Sequence, residues 1–330
     1  MVLSEYLANG VRFGLDICGA VLIPSLFPFL IFLSYLNERR VVEQISPSLC
    51  KISKKLFKIG GEELAVFLIS LLSGYPSGAV LLSKLPIENE RKSNASIYCC
   101  SGGIAFIYTA VGIGILHNKK AGIILLISHI LSSIITLLLF SRASKTKQFS
   151  LPRPIQTKGN IVNAVSSATQ SMTTICAFTL AFASISQLIC KLPVHTNIKT
   201  AICCILEVTN GCFALSKITQ SLPFYAATLG FGGISVILQI CALCKSASFK
   251  HILIGRIFHA MVSFVSFAGC MVRIFIIIII INAIVSRRIL PLGFTKMESV
   301  WFTFVSGKNM ELIIVQPIVR LKDSVRNGMF

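Results

Sequence analysis

The chain has 330 residues, 54% of them hydrophobic and only 13% charged, with a mean hydropathy of +0.81. That balance excludes a soluble globular domain and reads as an all-α polytopic membrane protein. A formal net charge of +19 would mark a nucleic-acid binder among soluble proteins, but here Lys and Arg fall between apolar stretches, where anionic lipid and the basic bias of cytoplasmic loops account for them. The expected partners are therefore the lipid bilayer and its anionic headgroups, with no nucleic acid.

Apolar windows of about 20 residues, the length that crosses a bilayer, occur near 12–36, 64–83, 96–116, 121–140, 161–190, 200–218, 224–244 and 252–285. These predict about eight membrane segments. No cleavable signal peptide is expected, because the first apolar stretch begins near Val11, is too long, and lacks a basic leader. It carries Pro24 and Pro28, which predict a doubly kinked or broken helix. A basic loop is expected next, from Asn37 to Glu63, with Arg39, Arg40, Lys51, Lys54, Lys55 and Lys58. It is the strongest cytoplasmic marker in the chain.

The window at 64–83 contains Ser73, Gly74, Tyr75, Pro76, Ser77 and Gly78. Gly and Pro weaken helix interiors, and Pro76 removes a backbone donor that hydrocarbon does not replace. Irregular backbone at membrane depth is tolerated where it is buried in protein or lines a wet cavity, so this stretch predicts a broken helix or the tip of a re-entrant hairpin. Most of the twelve cysteines fall inside apolar spans, where Cys acts as a small hydrophobe. Cys241 and Cys244 have no companion pair, so neither a metal site nor a cofactor is expected.

The sequence laid over itself shows an internal repeat. At an offset of 130, Gly102, Gly103 and Ile104 fall on Gly232, Gly233 and Ile234, and Lys120, His129 and Ser133 on Lys250, His259 and Ser263. At an offset of 133, Gly78 falls on Gly211 and Leu82, Ser83 and Lys84 on Leu215, Ser216 and Lys217. The break at 73–78 is thereby matched by Glu207, Val208, Thr209, Asn210 and Gly211. Two membrane repeats are predicted, 1–145 and 161–270, joined by a basic linker at 146–160 and followed by an apolar segment and basic tail at 271–330. That tail reads either as a surface extension or as a divergent, frameshifted end. If the 64–83 segment re-enters, the basic stretch 142–158 shares the cytoplasmic side with the 39–58 region, as the charge rule asks, and the repeats are inverted, with a substrate site at their interface.

The order FPFLIF (Phe27 to Phe32), SGYPSGA (Ser73 to Ala79), CCSGGIAFI (Cys99 to Ile107), GIILLISH (Gly122 to His129), LEVTNG (Leu206 to Gly211), GFGGISVILQ (Gly230 to Gln239) and GRIFHA (Gly255 to Ala260) resembles the YlbJ-type sporulation integral membrane proteins, within the nucleoside-recognition or Gate-domain family. The resemblance covers roughly residues 10 to 270. It implies a multi-pass protein of the cell membrane in a spore-forming bacterium, with a role in spore formation and transport of a small polar solute, a nucleoside among the candidates. Its partners would be that solute, a second copy of the chain, or other sporulation membrane proteins. A non-transporting scaffold or assembly factor and a channel component are the alternatives. Without a Walker, Rossmann, zincin or nucleophile-elbow pattern, no enzyme activity is expected.

Among single residues Glu207 ranks first. A carboxylate at bilayer depth costs about 2.5 to 3.5 kcal/mol on insertion scales and so faces a cavity or a partner; beside Thr209, Asn210 and Gly211 it reads equally as a solute or ion contact and as a structural acid bonded to a hairpin amide. Ser73, Gly74, Tyr75, Pro76, Ser77 and Gly78 read first as turn geometry and second as ligand donors at a half-helix N-terminus. Ser101, Gly102 and Gln239 are placed at the repeat interface. His129 and His259 read as hydrogen-bonded packing residues rather than a relay, and Arg256 and Arg273 as cations snorkelling to the interface.

Overall fold

A computed structural model describes residues 2–141 and 159–267. Most of the basic linker and everything after residue 267, with the expectations placed on them, lie outside the described residues. All described elements are helical.

Helix α1 (Val2–Ile17) passes through a π-helical turn (Cys18–Leu22) into α2 (Ile23–Glu38) without a break, so of the two expectations, a doubly kinked or a broken helix, the break is corrected. Pro24 stands directly after the π turn, at the first positions of α2, and Pro28 is carried inside the helix. The expected basic loop is likewise mostly helix: α3 (Val41–Ile52) buries Val42, Ser46 and Cys50, spaced by four, and leaves Lys51 exposed, as the π-helical turn that follows (Ser53–Phe57) leaves Lys54 and Lys55. The charge count hid an amphipathic period.

Helices α4 (Gly61–Ser73) and α5 (Tyr75–Lys84) form a hairpin broken at Gly74. Its two outer ends lie together, since Arg91, just beyond α5, pairs with Glu63 in the first turn of α4 and Lys92 Nζ donates to Ser83 O at 2.7 Å. Then come α6 (Asn89–Cys99), a non-helical stretch at 100–103, a π-helical segment (Ala105–Ile115) and α7 (Lys119–Phe140). The second half runs α8 (Ile161–Cys190), α9 (Thr196–Leu206), α10 (Val208–Ser216), α11 (Leu222–Phe231), α12 (Gly233–Leu243) and α13 (Phe249–Phe267). Asn118 and Asn160 cap α7 and α8 by accepting the N–H groups of Ala121 (3.1 Å) and Val162 (2.9 Å). α5 and α10 begin 133 residues apart, and α7 and α13 begin 130 apart.

Among the described residues, four stretches are long and apolar enough to cross a membrane: Ser4–Glu38, Lys119–Phe140, Ile161–Cys190 and Leu222–Leu243. The windows at 64–83, 96–116 and 200–218 are divided into shorter helices by irregular backbone at 74, 100–103 and 207, and Leu222–Leu243 is interrupted at Gly232. At one end of the bundle Gly159, preceding α8, lies against Arg39 and Tyr35 at the end of α2. The start of α8 and the exposed cations after α2 therefore share that end, called the basic end below.

α1 and α2 both pack along α8. A Cβ at Gly10 would collide with Ser184 Cα and lie 2.9 Å from Ala183 O, while one at Gly14 would lie 3.1 Å from Leu180 Cα. This seam therefore needs small residues. Gly10→Val is expected to force the helices apart at a cost of about 1–3 kcal/mol, seen as a lower Tm of the detergent-solubilised protein; an unchanged Tm would show that the seam is not close-packed.

Candidate functional site

Gly74 ends α4 with φ +94°, a conformation open to glycine and strained for other residues. The backbone of 100–103 approaches it closely: a Cβ at Gly103 would lie 2.7 Å from Gly74 N. Pro76 falls in the first turn of α5, so the proline that breaks the pattern starts the next helix. Ser73 Oγ donates back to Ile69 O at 2.8 Å. Tyr75 reaches across to the second half, its hydroxyl donating to Leu229 O at 2.8 Å.

The second break is built from different residues in the same relation. Glu207 sits in extended backbone at the start of α10 and accepts from Thr209 N (3.0 Å) and Asn210 N (2.7 Å), giving the half-helix an N-cap. Here the double-glycine stretch of the second half closes in, since a Cβ at Gly233 would lie 2.9 Å from Glu207 Cα. Gly74 and Glu207 thus meet Gly103 and Gly233 at matching places, and the charge appears on one side only.

Ser73, Gly74, Tyr75 and Pro76 from the first break and Glu207 and Thr209 from the second line one cavity of about 50 Å³, with Gln239 on its wall. Glu207 is 3% exposed. Gln239 donates to Ser235 Oγ at 3.1 Å. The other named residues lie elsewhere. Ser77 lines a second cavity. Gly78 and Gly211 are packing positions, where a Cβ would collide with Cys99 O and with Cys204 Cα respectively. Asn210 Nδ2 donates to Thr179 O at 3.5 Å.

Ser101 and Gly102 belong to a separate polar cluster. His129 Nε2 accepts from Gly102 N (3.0 Å) and lies 2.9 Å from Ser101 Oγ, which is 2.7 Å from Ser133 Oγ. The His129 and His259 rings pack at 4.5 Å between centroids. Arg256 is 1% exposed, with its guanidinium 4.8 Å from the centre of the Tyr75 ring. It does not snorkel, which corrects the reading from its place near a span end. Among the described residues its Nε and Nη2 have no hydrogen-bond acceptor, and no ion pair joins it to Glu207.

The ion pair between Arg91 and Glu63 escaped the sequence reading because both residues stand at helix starts that looked like loop. Arg91 Nε donates to Glu63 Oε1 at 3.0 Å, and Nη2 holds Oε2. Burial works against the Arg91 charge, but the hydrogen bond and charge of Glu63 outweigh it and hold the guanidinium pKa above its usual value. Neighbouring Glu62 is pushed up by burial, with Arg91 opposing. The Glu62-Glu63 pair at the head of an apolar run, with Arg91 28 residues on, was the available signal.

Comparison with known proteins shows similarity to the sporulation integral membrane protein YlbJ of Bacillus subtilis (strain 168), 23% identical over 299 residues that cover 74% of this chain and 72% of that protein. No family model matches the chain, and no solved structure matches it. The similarity supports the resemblance drawn from motif order. Together with the apolar helices of spanning length it makes the chain a multi-pass membrane protein.

Proposed function

We propose that this multi-pass membrane protein is a transporter of a small polar solute in spore formation, built from two inverted repeats whose breaks form the solute site. The observation that carries the reading is a cavity lined by both breaks, Ser73 to Pro76 and Glu207 with Thr209, together with Gln239. Broken helices that meet at mid-depth are the usual way a transporter builds a site in a membrane.

Two contacts support the inversion. Lys84, at the end of α5, lines a cavity with Asn37 and Ser167 near the basic end. Its counterpart at the offset of 133, Lys217, lies over the rings of Phe13 in α1 and Phe213. Cross-packing of α6 on α13 and of α11 on α7 is what a two-fold relation would produce. Nucleoside-like chemistry is one candidate class for the solute, carried by the Gate-domain resemblance alone.

A non-transporting scaffold or assembly factor is the second reading, favoured by Glu207 spending both carboxylate oxygens on its own helix. Glu207→Ser separates the two. Serine is as good an N-cap as the acids, so stability should change by less than about 1 kcal/mol. With the charge gone and membrane abundance intact, a transporter should lose spore yield and alter the small-molecule content of spores. Normal yield and contents would support the scaffold.

A further inference from the structure

A second cavity, of about 200 Å³, lies in the described residues, and the same five helices, α2, α4, α5, α8 and α12, line both it and the cavity between the breaks. On α2 the lining passes from Leu30 to Ser34 and Asn37, and on α8 from Thr179 to Ser171 and Ser167. In each helix the second set lies one to three turns nearer the end where Gly159 meets Arg39. The larger cavity therefore stands between the one at the breaks and the basic end.

Its wall is unusual for membrane helices. Ser34, Asn37, Ser77, Ser167, Gln170 and Ser171 supply hydroxyls and amides, and Lys84, exposed at the end of α5, is the one charged residue of the lining, with no carboxylate. Ser167 and Gln170 are exposed although they lie seven and ten residues inside a 30-residue spanning helix. Polar side chains left open at that depth in hydrocarbon would be costly; against water or a polar ligand they are satisfied. The rest of the exposed surface of this stretch of α8 carries Ile161, Val162 and Val165 together with Asn163, Ser166 and Thr169.

We propose that this cavity is a water-filled binding vestibule that admits an acceptor-rich solute carrying no positive charge to the site between the breaks, with Lys84 setting the charge preference. The inference rests on the transport reading for its purpose, and the experiment below addresses the vestibule itself.

In inside-out vesicles, which present the basic end if it is cytoplasmic, Ser171→Cys is treated with a sulfonate-bearing or a trimethylammonium-bearing methanethiosulfonate. Modification is followed by mass spectrometry, with fragmentation placing the label on residue 171 and apart from native Cys176 and Cys190 of the same peptide. Ser171→Cys should react with both and Val165→Cys, on the outer surface of the same helix, with neither. With each rate divided by that reagent's rate on a small free thiol, the anionic reagent should lead by about tenfold, the low end for a cleft of one charge sign, and Lys84→Gln should bring the two normalised rates together. No reaction at residue 171 in vesicles of either orientation would overturn the vestibule, and a normalised preference for the cationic reagent, or one indifferent to Lys84→Gln, would overturn the ligand class. Should Glu207→Ser prove fully functional while residue 171 reacts as expected, the transport reading falls and the wet vestibule stands.

Discussion

Arg91→Met is expected to lower the stability of the protein by about 3–5 kcal/mol, the cost of breaking a buried ion pair from one side. Glu63 is 2% exposed and keeps only the Gly60 N–H, at 2.7 Å, once the guanidinium fork is gone. The carboxylate would then be buried with one donor where it had three. Because this pair fastens the start of α4 to the start of α6, the first hairpin should loosen as a unit, and Tm in detergent should fall with it. Arg91→Lys should land between, since an ammonium supplies the charge without the fork. Removing both partners, with Glu63→Gln added to Arg91→Met, should recover part of the loss; if the double variant is no more stable than Arg91→Met alone, the pair is not the fastening described.

Gly233→Ala is expected to cost about 2–5 kcal/mol, from two sources that add at one residue. Its φ of +84° penalises any Cβ by about 1–2 kcal/mol, and that Cβ would press on Glu207 Cα and N, at 2.9 and 3.0 Å, an overpacking of about 1–3 kcal/mol. Backbone stands on the other side, so no rotamer change relieves it. Gly232→Ala is the control: φ is +79°, but the nearest atom to its Cβ is Tyr75 Oη at 3.4 Å, so only the conformational part should appear. Thermal unfolding of the two variants side by side tests the contrast, and equal losses would mean that the approach of Gly233 to the second break is not tight.

These two residues also show what could be read before the structure. Gly233 was visible through its repeat partner Gly103, and the breaks through Pro76, Gly74 and an acid in an apolar run. The meeting of both breaks at one cavity followed from the repeat, because paired irregular segments at membrane depth have little else to face. The role of Glu207 did not follow. Sequence shows what burying a carboxylate costs, but not which N–H groups repay it, and here they are those of Thr209 and Asn210.

Arg91 and Arg256 were opaque for opposite reasons. Arg91 stands in the polar run NERKSN, where nothing marks one charge among several as buried. Arg256 stands near a span end, where a long side chain ordinarily reaches water, and only the packing of α13 among α6, α7 and α11 closes that exit. At Pro24 and in the 41–57 region local signals misled. A π turn and a four-residue spacing of small buried side chains outweighed proline content and charge count.

The reach of Tyr75 to Leu229 has a mechanical meaning. The polar ties from the tip of the first hairpin to the opposite half are one neutral hydrogen bond, worth about 1 kcal/mol net, and one ring face under Arg256, beside the packing of α5 on α12. The base of that hairpin is held by a buried ion pair whose rupture costs several times more than that hydrogen bond. The polar fastening of the hairpin is thus concentrated at its foot.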